Sequence, residues 1–480
     1  MSKILFINSN KWGRGITSIW IASHSSLLKS KNHSVKLFDC TFYKNWMNDE
    51  ISINTQNKQY KETDYKSKIK LNDGDVKRDL QNLVQSYNPD IIFWSALSSH
   101  INGEGEYVSI QYGYDLIKDL NYKGLLVTGG IQATGSPVKT LKEFPKIDYL
   151  IAGESEFVLL EIANCINQKE KIKKIKGVTY WDKKNNKICQ NQVQPMIKNL
   201  DDLCFYDYDI FDDQVFYRPY NGKTLRIIDY EMSRGCIYTC SYCVETAIQN
   251  YYGFNKKTKN GALIRAKNYL RTKSAKRIYD ELEYYKKKLK IDLIRCQDTN
   301  FLTIQPEVLK KLEQLILNKP LGLKLYIETR PEGINAKSVK LLNNLGVDGI
   351  GMGIELENEE FREKNLNRFV KQQRIIDAFN ILKKNNIRRT TYNIIGLTGQ
   401  TEKEIKETIK FNRILKPDNI TVHYYSPYIG TDEENKSVNL KVFSKNEKNI
   451  DSRLRTVVKE SKDEKKLKYY MDNFVKMVNQ

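Results

Sequence analysis

The sequence predicts an α/β protein: a doubly wound parallel sheet, then a partial six-fold βα barrel, then a short helical tail. Three observations carry this. Apolar strand runs alternate with helical periodicity through the first 170 residues, the alternation resumes after residue 224 and runs six times, and the stretch between is irregular. With 480 residues the chain is too long for one ordinary core. The pattern divides it into 1–170, a linker at 171–224, a barrel at 225–430 and a helical tail at 431–480.

In the first unit the strands read as 4–7, 35–38, 91–94, 125–128 and 149–151, with helical patterns between them. Such sheets bind ligands beyond the carboxyl ends of their strands. Residues 43–75 are polar and read as an excursion from the core. The linker holds a predicted hairpin at 177–193. In the second unit the strands read as 225–231, 293–296, 325–329, 350–354, 391–395 and 420–424. Six repeats are two short of a closed barrel, so the barrel is expected to be open, with the charged tail across its edge.

Hydrophobic residues at 40% and aromatics at 11% provide for folded domains. The first apolar run breaks at Asn8, far too early for a signal or a membrane span, so a cytoplasmic protein without a membrane partner is expected. The net charge of +21 is scattered along the chain and reads as solvated faces. No recognisable nucleic-acid module accompanies it, so a nucleic-acid partner is not expected. Eight cysteines in a chain of this length are no disulfide framework.

Three of those cysteines, Cys236, Cys240 and Cys243, lie on the loop after the first barrel strand, spaced by three residues and then two. Four thiolates would fill a four-iron cubane, and three leave one iron free to bind something else. Zinc would call for a fourth Cys or His nearby, and all four histidines are remote in sequence. Cys296, phased with Asp298 on the second strand, reads as a buried structural cysteine.

This CxxxCxxC loop, with Tyr242 before its last cysteine, resembles the radical S-adenosylmethionine superfamily. The resemblance implies a [4Fe–4S] cluster on Cys236, Cys240 and Cys243, S-adenosylmethionine on the open iron, and an external electron donor such as flavodoxin or ferredoxin. It also implies cofactor contacts at Tyr242, at Thr329 on strand three, at Glu355 on strand four, and at Asn393, Ile395 and Gly396 on strand five. The superfamily's glycine pair after strand two is absent, and Arg295 to Asn300 occupy that place.

The first unit resembles the cobalamin-binding domain fused to many members of that superfamily. The residues behind this are Ser95 and Ser98 after strand three, Gly129, Gly130, Gln132 and Thr134 after strand four, and Gly153 and Glu154 after strand five. Glycines and small hydroxyls at strand ends let backbone approach a large flat ligand. Where relatives carry a cobalt-ligating Asp-x-His-x-x-Gly, this chain runs from Asn8 to Gly13 with Asn10 at the histidine position. Cobalamin bound without a protein histidine is therefore the expectation. A degenerate domain that merely supports the barrel is the bland alternative.

Together the two cofactors imply a methylase acting on an unactivated carbon of a small-molecule substrate or biosynthetic intermediate. No catalytic residue is assigned from the sequence. The same architecture also performs cyclisation, oxidation and rearrangement, and nothing in the sequence separates these from methylation. A methylthiotransferase would need three more cysteines in the first unit, which has only Cys40 and Cys165. From a different class comes a basic RNA-binding protein whose cluster is structural.

Overall fold

The computed structural model describes residues 1–95, 106–425, 428, 430–433 and 464–480. The first sheet has seven strands in the order β2-β1-β3-β4-β5-β6-β7. Strands β1 (Lys3–Asn8), β2 (Ser34–Asp39), β3 (Ile91–Ser95), β4 (Leu125–Gly129) and β5 (Tyr149–Ile151) are parallel. The order reverses between β1 and β3, which makes the sheet doubly wound. Ile4 and Phe6 pack with helices Ile19–Ser30 and Glu156–Asn164 on one face. Leu5 and Ile7 pack with Val76–Tyr87 and Glu106–Ile117 on the other. Burial on both faces explains the uninterrupted apolar runs.

Strands β6 (Val178–Asp182) and β7 (Lys187–Gln190) form the predicted hairpin, yet β6 pairs antiparallel with β5 and so extends the first sheet. The rest of the expected linker is also built in. Tyr206, Tyr208, Phe211, Val215 and Phe216 are buried in one apolar cluster that runs from Ile4 to Ile228 and Ile294. Short 3-10 turns present these side chains inward without any period, which is why the segment reads as irregular.

Strand β8 (Tyr217–Tyr220) pairs antiparallel with β9 (Lys223–Tyr230) at one edge of the second sheet. A ribbon of β10 (Ser233–Arg234) and β11 (Arg271–Thr272) stands apart. After β9 come β12 (Leu293–Cys296), β13 (Lys324–Glu328), β14 (Val347–Glu355), β15 (Arg388–Ile395) and β16 (Asn419–Tyr424), all parallel and in sequence order. The sheet thus has the six expected barrel strands and ends at β8 and β16. Helix starts are well signalled: capping boxes at Asn335/Ser338 and Thr401/Glu404 open helices Ala336–Asn344 and Glu402–Leu415.

Besides two helices of five residues or fewer, three described helices lack a readable pattern: Glu50–Gln56, Val244–Tyr251 and Glu359–Leu366. Each is one or two turns long, and the last is mostly charged, so apolar periodicity has no room to show. The polar excursion covers the open edge: Gln59 Oε1 accepts from the Val422 N–H of β16 at 3.0 Å. From the tail, helix Glu464–Val478 packs on β16 and on Glu402–Leu415.

Candidate active site at the cysteine loop

The cysteine loop leaves β9 and is pinned from below. Asp298, just past β12, accepts from Ser233 N–H at 2.6 Å and from Ser233 Oγ at 2.5 Å. Burial pushes the Asp298 carboxyl up to about 7, against the pull of those donors. Gly235 has φ 98°, and a Cβ there would meet the Tyr269 ring at 3.0 Å. Helix Val244–Tyr251 follows the loop, and its Gln249 Nε2 donates to the carbonyls of Cys236 and Tyr238, both at 3.0 Å.

Cys236 and Cys240 are buried and Cys243 is partly buried. Tyr238 N–H points at Cys236 Sγ (3.4 Å), and Arg330 Nη1 at Cys240 Sγ (3.4 Å). Burial pushes the Cys236 thiol up to about 12 and the Cys243 thiol well above its usual range. Thiolates here need positive charge beside them, which Arg330 supplies in part and cluster irons would supply in full. Among the described residues no three His, Cys, Asp or Glu side chains converge on one metal-ion position. A cubane spreads its thiolates over separate irons, so the donor set fits a cluster better than a single ion.

Beside the loop, Tyr242 OH donates to Glu355 Oε1 at 2.8 Å, and Arg368 Nη1 lies 3.4 Å from Tyr242 OH and 3.8 Å from Glu355 Oε1. Glu355 has φ 63° at a register shift that ends β14. A glutamate held in the left-handed region costs of order 1–3 kcal/mol, and such residues cluster at functional sites. Tyr242 and Glu355 are therefore brought together. Thr329 Oγ1 instead donates to Asn300 Oδ1 at 2.6 Å. Asn393 turns to the helix side of β15, where Asn412 Nδ2 donates to its Oδ1 at 2.8 Å. Ile395 packs with the tail helix, and Gly396 N–H is taken by Gln400 Oε1 at 2.7 Å. Alternation along β15 explains this: Thr390 and Tyr392 face the barrel interior, so Asn393 cannot.

In the first unit, Gly129 ends β4 beside Ser95, and Gly130 has φ 102°. Gln132 is 1% exposed and neither of its amide atoms has a hydrogen-bond partner among the described residues. An orphaned amide at a strand's carboxyl end is what a polar ligand would satisfy. Thr134 Oγ1 donates to the Gly130 carbonyl at 2.7 Å and accepts from Gly153 N–H at 2.9 Å, stapling two of the predicted loops together. Asn10 is spent shaping its own loop: Nδ2 donates to the Arg14 carbonyl (2.9 Å) and Oδ1 accepts from Trp12 N–H (2.9 Å). Gly13 is packed on Met47, 2.7 Å from a Cβ placed there. Ser98 lies outside the described residues.

Glu154 departs most from its expected role. Its carboxylate accepts from Arg271 Nη1 at 2.8 Å, from Arg234 Nη1 at 3.0 Å and from Ile197 N–H at 2.7 Å. Despite burial, these arginines hold it below the usual carboxylate range. It is therefore a clasp between units rather than an open ligand group. Arg234 is 2% exposed and also meets Glu156 and Glu231, each at 2.6 Å. Arg234, Arg330 and Arg368 are not legible in the sequence, because arginine carries no periodic signal that separates a buried partner from a surface charge.

Residues 230–411 match the model of the radical SAM superfamily. They form a radical SAM domain. The chain is 25% identical to an uncharacterised methyltransferase of Pyrococcus horikoshii over 74% of this chain and 70% of that one. It is 24% identical to the anaerobic magnesium-protoporphyrin IX monomethyl ester cyclase of Rubrivivax gelatinosus over 72% of this chain, spanning only 58% of the cyclase. Among solved structures it resembles the radical S-adenosylmethionine methyltransferase TsrM of Kitasatospora setae with cobalamin and a [4Fe–4S] cluster bound. The TM-score is 0.63 at 14% identity, covering 92% of this chain and 78% of that one. At that identity the likeness is one of fold, and it takes in both units. The protein is a radical SAM enzyme, and an RNA-binding protein with a structural cluster is not favoured. No helix of the described residues is long and apolar enough to cross a membrane.

Proposed function

We propose that this radical SAM enzyme uses a [4Fe–4S] cluster and cobalamin to methylate an unactivated carbon of a small molecule. One observation carries the reading: the carboxyl-end loops of the first sheet are seated against the cysteine loop's own helix. Helix Ile131–Gly135 packs on Val244–Tyr251, and a Cβ at Gly153 would meet Tyr252 Oη at 2.4 Å. A ligand on the Gly129–Gly130 turn and a cluster on the cysteine loop therefore share one space. When bound, the cluster with S-adenosylmethionine supplies a carbon-centred radical and cobalamin supplies a methyl group.

The chain's own residues do the placing. Cys236, Cys240 and Cys243 hold the cluster, with Arg330 donating to one thiolate. Tyr242, Glu355 and Arg368 offer a fixed acceptor and a fixed donor to a zwitterionic cofactor. Gln132 and the Gly130 backbone meet cobalamin's polar rim. The likeness to an anaerobic cyclase favours a second reading, ring closure without net methylation.

Anaerobic reconstitution with iron, sulfide and hydroxocobalamin tests both. About four irons and about one cobalt per chain are expected, with a trideuteromethyl label passing from S-adenosylmethionine into product. Four irons without cobalt would sink the methylase. Cobalt binding with an unlabelled, ring-closed product would establish the cyclase instead. Cys240→Ala should lower iron retention and S-adenosylmethionine cleavage by about 100-fold or more.

A further inference from the structure

The interior of the barrel holds a cavity of about 160 Å³ that no residue of the cysteine loop lines. Among the described residues its lining carries four cations, Arg14, Lys61, Arg218 and Arg295, and no Asp or Glu. Two units contribute: Arg14 lies on the loop after β1, whereas Arg295 points in from β12. Rings of Tyr60, Tyr326 and Tyr392 fill much of the remaining wall.

The carboxylates that serve these cations stand behind them. Arg14 gives its Nε to Glu50, at 2.8 Å, and its guanidinium lies 5.6 Å from the centre of the Trp12 ring, while its two terminal nitrogens make no hydrogen bond among the described residues. Arg295 reaches Glu328 through Nη2 at a long 3.4 Å, while its Nε is buried without a partner. Arg218 spends both terminal nitrogens on Asp229 and leaves its Nε unpartnered. Burial works against the charge on Arg14, but Glu50 outweighs it and the smaller opposition of Arg295; Glu328 does the same for Arg295, so both guanidinium groups hold their protons more tightly than usual.

Water can satisfy the open N–H groups one at a time, but a wall whose described residues carry cations and no carboxylate attracts an anion, which can accept from several of those N–H groups together. Guanidinium forks match carboxylate and phosphoryl oxygens in geometry as well as charge. The surrounding phenols suit a ligand that carries a ring or hydroxyl groups beside its anionic end.

We propose that this cavity binds the anionic end of a small molecule, a carboxylate or phosphoryl group, clamped between Arg14 of the first unit and Arg295 of the barrel. Identifying that molecule as the substrate rests on the proposed function, whereas the binding does not. A substrate so anchored carries its uncharged part away from the two arginines, and the clamp closes only when the first unit is docked.

The test uses the full chain without added cofactor and follows its thermal midpoint against inorganic phosphate and, separately, benzoate, with ionic strength held by chloride. A saturable rise is expected for one or both anions. Phosphate alone would identify a phosphoryl end, and benzoate alone a carboxylate. Apparent affinity should weaken by about tenfold or more in Arg14→Gln and in Arg295→Gln, and stay unchanged in Arg78→Gln on the exposed face of helix Val76–Tyr87. Arg295→Lys keeps the charge that Glu328 faces and should bind with intermediate strength, which decides the matter if the glutamine variants do not fold. No saturable response in the wild type, or an undiminished response in Arg295→Lys and the folded glutamine variants, would overturn the site. Because no cofactor is present, failure to bind cobalt would leave this result standing.

Discussion

At the carboxyl ends of β13 and β14 three charged side chains, Arg330, Glu355 and Arg368, crowd the cysteine loop. Strands β3 and β4 of the first sheet end instead in Ser95, Gly129 and Gly130. At the end of β4 the buried Gln132 is uncharged, and neither of its amide atoms has a hydrogen-bond partner among the described residues. A small zwitterion is held by fixed charges aimed at its ends, whereas a broad, nearly neutral ring system is held by backbone that can approach it closely. Charge that does reach the first sheet's rim, at Glu154 and Glu156, is consumed by Arg234 and Arg271 in joining the two units.

That division predicts unequal costs. Arg234→Met should destabilise the chain by about 3–5 kcal/mol in chemical denaturation, because it strands buried carboxylates from both units. A loss under 1 kcal/mol would mean that the clasp is not what joins them. Asp298 comes next. Its folded value, about 7, stands above the unfolded one, so the folded chain holds the proton between roughly pH 4 and pH 7 and stability falls as pH rises across that window. Asp298→Asn should flatten this slope, an effect of about 4 kcal/mol across the window. Equal slopes in both proteins would show that the carboxyl is ionised in the fold.

Arg368→Gln should weaken S-adenosylmethionine binding by about tenfold in equilibrium titration, since it removes the guanidinium beside the Tyr242–Glu355 pair. The smallest effect is the most diagnostic. Gln132→Leu should leave stability unchanged or raise it by about 1 kcal/mol, because it removes an unsatisfied amide, while cobalamin affinity falls by about tenfold. Lower stability with unaltered affinity would assign Gln132 to the core and break the contrast.

Much of this was legible in the sequence. Eleven strands fall within a few residues of their predicted places. Strands buried on both faces, such as β1, read as solid apolar runs, and the half-buried β2, β13 and β16 follow from the strand–helix alternation. The cysteine spacing marked the site, and Tyr242 and Glu355 do meet beside it. Asn393 was misplaced for a simple reason: alternate residues of a strand face opposite ways, and β15 gives its interior to Thr390 and Tyr392. Glu154 was misread because its partners, Arg234 and Arg271, lie 80 and 117 residues away. Residues 200–216 carried core aromatics on irregular backbone, and without a period a buried segment looks like a tether.

One contact reaches beyond the site. Gln59 occupies a backbone donor of β16, the last barrel strand, from a position 363 residues earlier in the chain. An uncovered terminal strand is a template for pairing with other chains. Here its cover is synthesised first, and it waits beside the growing barrel until the sixth strand arrives. A barrel produced alone would lack that guard and should self-associate along β16, so solubility of the catalytic half is a property the other half confers.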